Sequence, residues 1–250
     1  MDLNEIVQGC AATERLYLRD MDLKEAPAAI TRLIPDKGQH FYVVLDKTIF
    51  HPKGGGQPSD RGRLSGVCFQ VNVKKVIDSH GVLVHWVKGV TGIPALGSVH
   101  CELDWENRHM IMRKHSAAHL IDHCLSKITE SHIQTTDSWL GEDSYVGYVG
   151  VPPPAESLRN VELLANQMIS DGASIKISFL SSEEARLFRN APNYERLPDL
   201  PQLRIVTISG CEPIPCGGTH VSDILQIGKV SLQKADQISE HGYRLYFTVG

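Results

Sequence analysis

A change of hydrophobic period close to Asp104 constrains the fold of this chain more than any other feature. Upstream, "FYVVLDKTIF", "CFQVNVKKVID" and "GVLVHWVKG" are short runs of β-branched and aromatic residues, punctuated by glycine and proline. Such runs read as strands, and "RLYLRD" before them reads the same way. In the intervening "LKEAPAAITRLIPD", proline spoils a long helix and leaves room for a short turn. Many short strands in close succession predict a small β-barrel. Downstream the period becomes helical. In "ENRHMIMRKHSAAHLIDHCLSKI", Ala117, Leu120, Ile121, Cys124, Leu125 and Ile128 recur on one face.

The second half continues as α+β. "VGVPPPAES" breaks the chain before a helix over residues 157–170, with Leu158, Val161, Leu164, Ala165 and Met168 on its apolar face and Gly172 past its end. "SIKISFL", "LRIVTIS", "LQIGKVSLQ" and "GYRLYFTV" read as strands, and Ser181 and Glu184 have capping-box spacing. The expected architecture is a small β-barrel domain over residues 1–107, followed by an α+β domain over 108–250.

The formal charge of −4 gives no global basic field, which disfavours tight non-specific nucleic-acid binding. The amino-terminal residues lack the pattern of a signal peptide, and no apolar stretch reaches membrane-spanning length. A cytoplasmic protein without membrane contact is expected. The six cysteines are scattered, which points to free thiols or metal ligands rather than a disulfide framework.

Two ligand-like pairs stand out. His115 and His119 lie four residues apart in the predicted helix, about 400° around it, so both imidazoles share a face. Cys216 and His220 flank two glycines and a threonine in "CEPIPCGGTH". Glycine lets the chain curl and approach a ligand closely. Together the pairs offer three imidazoles and one thiolate, a set that suits one Zn²⁺ per chain. His123 lies further around the helix, toward solvent or a supporting position. Ser116 stands where a HExxH protease would have glutamate, which disfavours that class. A filled four-ligand site is usually structural, whereas catalytic zinc keeps a position open, and spacing does not choose between them. The other unusual stretch is "FHPKGGGQPSDRG". Three glycines there make either an ordinary turn or a loop of accessible amides, and the spacing of a nucleotide-binding loop is missing.

"TIFHPKGGGQPSDRG", "DWENRHMIMRKHSAAHLI" and "CGGTH" occur here in the order that resembles the AlaX family of alanyl-tRNA editing proteins, themselves similar to the editing region of alanyl-tRNA synthetase. The resemblance runs from about Arg15 to the last strand and fits the medium-length form. It implies an ATP-independent, zinc-dependent hydrolase acting in trans on mischarged alanine tRNA. Seryl-tRNA is the expected substrate, glycyl-tRNA a second candidate, and correctly charged alanyl-tRNA is spared. The family's zinc motif maps onto His115, His119, Cys216 and His220. Its glycine motif maps onto Gly54, Gly55, Gly56 and Gln57 as substrate-binding residues. His51 stands where the family usually has an aromatic residue, and Lys53 where an acidic one is common. Both departures bear on substrate preference.

On that reading Gln57 orients water or the ester, and Thr219 hydrogen-bonds a seryl hydroxyl or satisfies its own turn. Neither pair has an obvious general base beside it in sequence. Arg108, Arg113 and Lys114 are either phosphate contacts for tRNA or a solvated helix face. A monomer is favoured. The alternatives are a non-catalytic tRNA- or protein-binding module with structural zinc, and a hydrolase of small esters or amides.

Overall fold

The computed structural model describes residues 2–185, 188, 191–197 and 201–250. Cα proximity divides the chain into two compact units, Met1–Gly54 with Pro58–Met110, and Gly55–Gln57 with Ile111–Gly250.

The first unit opens with the short helix α1 (Leu3–Val7) and a two-residue parallel pairing of β1 (Glu14–Arg15) with β4 (Lys47–Thr48). Its body is a closed barrel in the order β2 (Glu25–Pro35), β3 (His40–Leu45), β7 (Val82–Thr91), β6 (Gln70–Ser79), β5 (Gly62–Ser65) and β8 (Gly97–Leu103). Inward-facing Val43, Leu45, Leu64, Val71, Val73, Leu83, Val87 and Cys101 fill it. Closure removes the free edges that short strands otherwise expose.

Two readings of this region need correction. "LKEAPAAITRLIPD" holds the longest barrel strand, not a turn. Residues 25–30 of β2 pair with β8 and residues 30–35 with β3. Pro27 therefore sits where the strand has a partner on one side only, the position a missing N–H allows. Of "RLYLRD" only Arg15 lies in a strand, β1, after which Leu16–Leu18 form a tight helical turn.

The second unit contains most of α2 (Trp105–Thr129), then β9 (Thr135–Trp139), β10 (Tyr145–Val149), α3 (Ala155–Asp171), β11 (Ile175–Ser181), α4 (Ser182–Ala185), β12 (Gln202–Ile208), β13 (Ile214–Pro215), β14 (Val230–Ser239) and β15 (Gly242–Val249). One sheet has the order β14-β15-β10-β9 and another β11-β12-β13. At the edge strand β14, Asn166 of α3 exchanges hydrogen bonds with Val230, and Glu162 accepts from Leu232 N at 2.7 Å. Helix side chains thus satisfy strand groups that would otherwise lie unpaired. The capping box forms, with Ser181 N donating to the Glu184 carboxylate and Glu184 N to Ser181 Oγ. "LQIGKVSLQ" is strand only from Val230; Ile224–Ile227 make a helical turn that Gly228 ends at φ +76°.

Candidate metal centre

Two elements of the second unit build the site. Asp104 opens α2 by accepting from Asn107 N at 3.2 Å, and the uninterrupted helix then carries His115 and His119 on one face. The other element is the turn after β13. Buried Arg204 of β12 donates to the carbonyls of Cys216 at 2.7 Å and Gly218 at 2.9 Å. Cys216 N returns a bond to Arg204 O, and Asn193 Nδ2 holds Pro215 O at 2.6 Å. The turn is therefore clamped along its length. Gly218 is required for space: a Cβ there would lie 2.1 Å from His115 Cε1. Gly217 has open space around it, so close approach needs only the second glycine.

The ligand atoms of His115, His119, Cys216 and His220 lie within 4.8 Å of one another. Cys216 Sγ is 3.4 Å from His115 Nε2 and 3.3 Å from His220 Nε2. The far side of each of these rings is occupied. His115 Nδ1 lies 3.2 Å from Gln57 Oε1, an acceptor that fixes the proton on Nδ1 and leaves the Nε2 lone pair inward. His220 Nδ1 lies 3.3 Å from Ser116 Oγ, which also accepts from Val221 N. His119 differs. Neither of its ring nitrogens has a hydrogen-bond partner among the described residues, although both are buried. An imidazole without a hydrogen bond at either buried nitrogen, with the Asp122 carboxylate 3.9 Å from Nδ1 and a thiol and two other imidazoles around it, is costly unless a cation fills the centre. The donor set and its geometry fit a metal ion.

The electrostatics of Cys216 and His220 agree. Burial would raise the Cys216 thiol, but the His115 and His220 imidazoles, helped by hydrogen bonding, hold it well below the ordinary thiol range. A thiolate is the form that binds metal. Burial, then the neighbouring His115, pushes His220 well below the imidazole range, which keeps it neutral. Burial lowers His119, but Asp122 and Cys216 together outweigh it and raise it to about 9, so a metal ion binding there displaces a proton.

A cavity of about 560 Å³ opens beside the cluster, with His119 and Asp122 in its lining. The last turns of α2 contribute His123 and Lys127, Glu130 follows just past the helix, and Val206, Ile208 and Ile214 supply apolar surface. His123 therefore lines the cavity and stands outside the four-donor cluster.

Other residues singled out in the sequence are placed differently. Gln57 and Thr219 are completely buried and bonded to each other: Gln57 Nε2 donates to Thr219 Oγ1 at 2.9 Å, and Gln57 Oε1 accepts from Thr219 N at 3.0 Å. In the glycine loop, Gly56 is at φ +81° and a Cβ on it would lie 2.1 Å from Ser138 Oγ. Gly56 O accepts from Leu140 N and Gly55 O from Ser138 Oγ, so these carbonyls hold the loop in place. Gly54 lies in the first unit. Arg108 cannot meet phosphate. It is 1% exposed and its guanidinium is spent on the Asp60 carboxylate and Ile49 O inside the barrel unit. Arg113 donates to Ile227 O and Gly250 O, and Lys114 to Gly141 O, so both are engaged in holding the fold. His51 is buried edge-on against Tyr17, and Lys53 N donates to Val76 O. Sequence reasoning used Ser116 only to exclude the HExxH class, without its contact to His220, and missed Asp122. Both sit on α2 within three residues of a ligand histidine, and Asp122 is the carboxylate thought absent near the pairs. Helical spacing from His119 was the available signal.

Comparison with known proteins places this geometry. Residues 27–107 match the family model for class II (A) tRNA synthetases, and residues 203–246 match the threonyl and alanyl tRNA synthetase second additional domain. The chain is 33% identical to alanyl-tRNA editing protein AlaX-M of Methanosarcina barkeri, covering 95% of this chain and 99% of that one. It is 31% identical to AlaX-L of Pyrococcus horikoshii, over 58% of that protein. It is also 31% identical to alanine–tRNA ligase of Methanococcus aeolicus, and spans about a quarter (26%) of that longer chain. With a barrel, a clamped His/His/Cys/His cluster and an end-to-end match to AlaX-M, this chain belongs to the AlaX family of alanyl-tRNA editing proteins.

Proposed function

We propose that this chain is a trans-acting, ATP-independent aminoacyl-tRNA deacylase that removes serine from mischarged alanine tRNA and spares alanyl-tRNA, with one Zn²⁺ held by His115, His119, Cys216 and His220. The observation that carries the reading is a cluster of three imidazoles and a cysteine sulfur, buried to half-buried, beside a cavity, in a chain matched over 95% of its length by an editing protein. A soft thiolate with imidazoles suits zinc. Bound zinc supplies positive charge that polarises an ester carbonyl or lowers the pKa of a nearby water.

The chain's own residues do the rest. Gln57 and Thr219 position rather than react, because their polar atoms are spent on each other and on His115. They hold the turn carrying Cys216 and His220 at a fixed distance from α2. The cavity is larger than a seryl group requires, so it also takes the ribose and base that carry the ester. Polar groups there that pair with a seryl hydroxyl would be left unpaired by alanine, a stronger basis for discrimination than size. Glycyl-tRNA is a second substrate. The two domains keep the division at residues 107 and 108, the barrel domain contacts the acceptor stem, and the protein acts as a cytoplasmic monomer. Among the described residues no helix is long and apolar enough to cross a membrane.

Four protein donors also fill a tetrahedral shell, which favours a second reading, a tRNA-binding module with purely structural zinc. Deacylation of Ser-tRNA(Ala) and Ala-tRNA(Ala), with bound zinc quantified in wild type and Cys216→Ala, separates them. Serine release that spares alanine and falls at least 100-fold, on the order of one lost electrostatic group, supports the enzyme. Zinc-loaded, folded wild type that releases no serine leaves the binding module.

A further inference from the structure

Asp122 is a buried carboxylate that the proposed hydrolysis has not used. It is 5% exposed and lies on α2 one turn beyond His119, in the lining of the cavity. Its Oδ1 accepts from Tyr148 Oη at 2.7 Å. Its Oδ2 faces His119 Nδ1 at 3.9 Å. Tyr148 is fixed in turn: it lies in β10, paired with Tyr243 of β15, is 1% exposed, and stacks on Tyr243 with ring centroids 5.2 Å apart. The carboxylate is thus anchored to the sheet at one oxygen and aimed at a metal-ligand imidazole with the other.

The other two imidazoles show what such an arrangement does. His115 has an amide oxygen at Nδ1, and His220 has a hydroxyl there. His119 is the member whose Nδ1 faces a carboxylate. A negative charge behind Nδ1–H fixes the tautomer that leaves Nε2 free, and makes that nitrogen a stronger donor. We infer that Asp122, held by Tyr148, is the positioning residue for His119, whose Nδ1 faces a carboxylate where His115 has an amide oxygen and His220 a hydroxyl. The inference rests on the metal reading of the cluster and is independent of the substrate.

The test is metal affinity, read with Zn²⁺ against a competing chelator and with Co²⁺ by its absorption bands. Asp122→Asn keeps the shape and removes the charge, and is expected to weaken binding about 10- to 100-fold. Tyr148→Phe releases the carboxylate and is expected to weaken it a few-fold, less than Asp122→Asn. A double-mutant cycle supplies the readout that a merely structural role would not move. In a His119→Ala background, Asp122→Asn should change affinity no further. Equal losses with and without His119 would overturn the inference, as would wild-type affinity in folded Asp122→Asn. If Asp122→Asn does not fold, the same cycle run with Tyr148→Phe decides in the same way. Failure of wild type to bind either metal would sink the metal centre itself, a different outcome from failure of Asp122 alone.

Discussion

At Gly218 the space for one hydrogen atom decides whether the cluster can form. A methyl group there would meet His115 Cε1 at 2.1 Å and Gln57 Oε1 at 2.9 Å, and the turn is held too firmly by Arg204 to retreat. Gly218→Ala is therefore expected to cost about 1–3 kcal/mol by overpacking and to lower metal affinity, whereas Gly217→Ala, with open space, should do neither. Denaturant midpoints and metal titration of the two variants side by side check this. His85 makes a comparable argument in the barrel. Burial pushes it down from 6.5 to about 4, against the opposing pull of the Val43 and Leu83 carbonyls. Its neutral ring is held between Val43 O at 3.2 Å and Thr48 Oγ1 at 2.9 Å. Between those two pH values the unfolded chain takes up a proton that the folded chain refuses. Stability is therefore lost as pH falls through that window, by about 3 kcal/mol at its lower end. In urea melts from pH 7 to pH 4, the stability advantage of wild type over His85→Gln should shrink by about that much; a constant gap would contradict it.

Among the elements, α2 was the most legible in sequence. Its apolar positions recur at helical spacing, and the structure runs it unbroken over Trp105–Thr129. Its start was less visible. Asp104 accepts from Asn107 N, so Asp104→Ala is expected to remove about 1 kcal/mol, measurable as a lowered Tm. The strands divide by how much of their pattern is local. β6, β7, β11, β12 and β15 carry enough β-branched and aromatic residues to be seen. β9 reads "TTDSW", broken by Asp137 and Ser138, and β10 reads "YVGYV", whose strand-forming residues are interrupted by Gly147, and neither is read as a strand from sequence. They are strands because their neighbours supply hydrogen bonds, and Gly147 is there because a Cβ would lie 2.1 Å from Asp137 Oδ1. The β2 segment was misread for the same reason: proline forbids a helix, but only pairing with β8 on one side shows why a strand tolerates it.

At the scale of the molecule, the metal centre joins segments far apart in the chain: Gln57, the middle of α2, and the turn from Cys216 to His220. A bound ion would therefore stabilise the second unit by linkage, by about 2.7 kcal/mol when present at a hundred times its dissociation constant. Chelation is expected to speed hydrogen exchange in the middle of α2 and in the β12–β13 hairpin, while the amides of the closed barrel keep their protection. Equal loss in both units would contradict this. The sequence by itself determined the barrel followed by an α+β region, the four candidate ligands and the family, because period, spacing and ordered motifs are local quantities. Only the tertiary structure decided what surrounds those ligands. It withdrew Arg108 into an ion pair with Asp60, engaged Arg113 and Lys114 with carbonyls, turned Gln57 and Thr219 into each other's partners, and set Asp122 behind His119. Those roles depend on which groups meet across tens of residues, and a buried polar atom takes whichever partner the packing brings within reach.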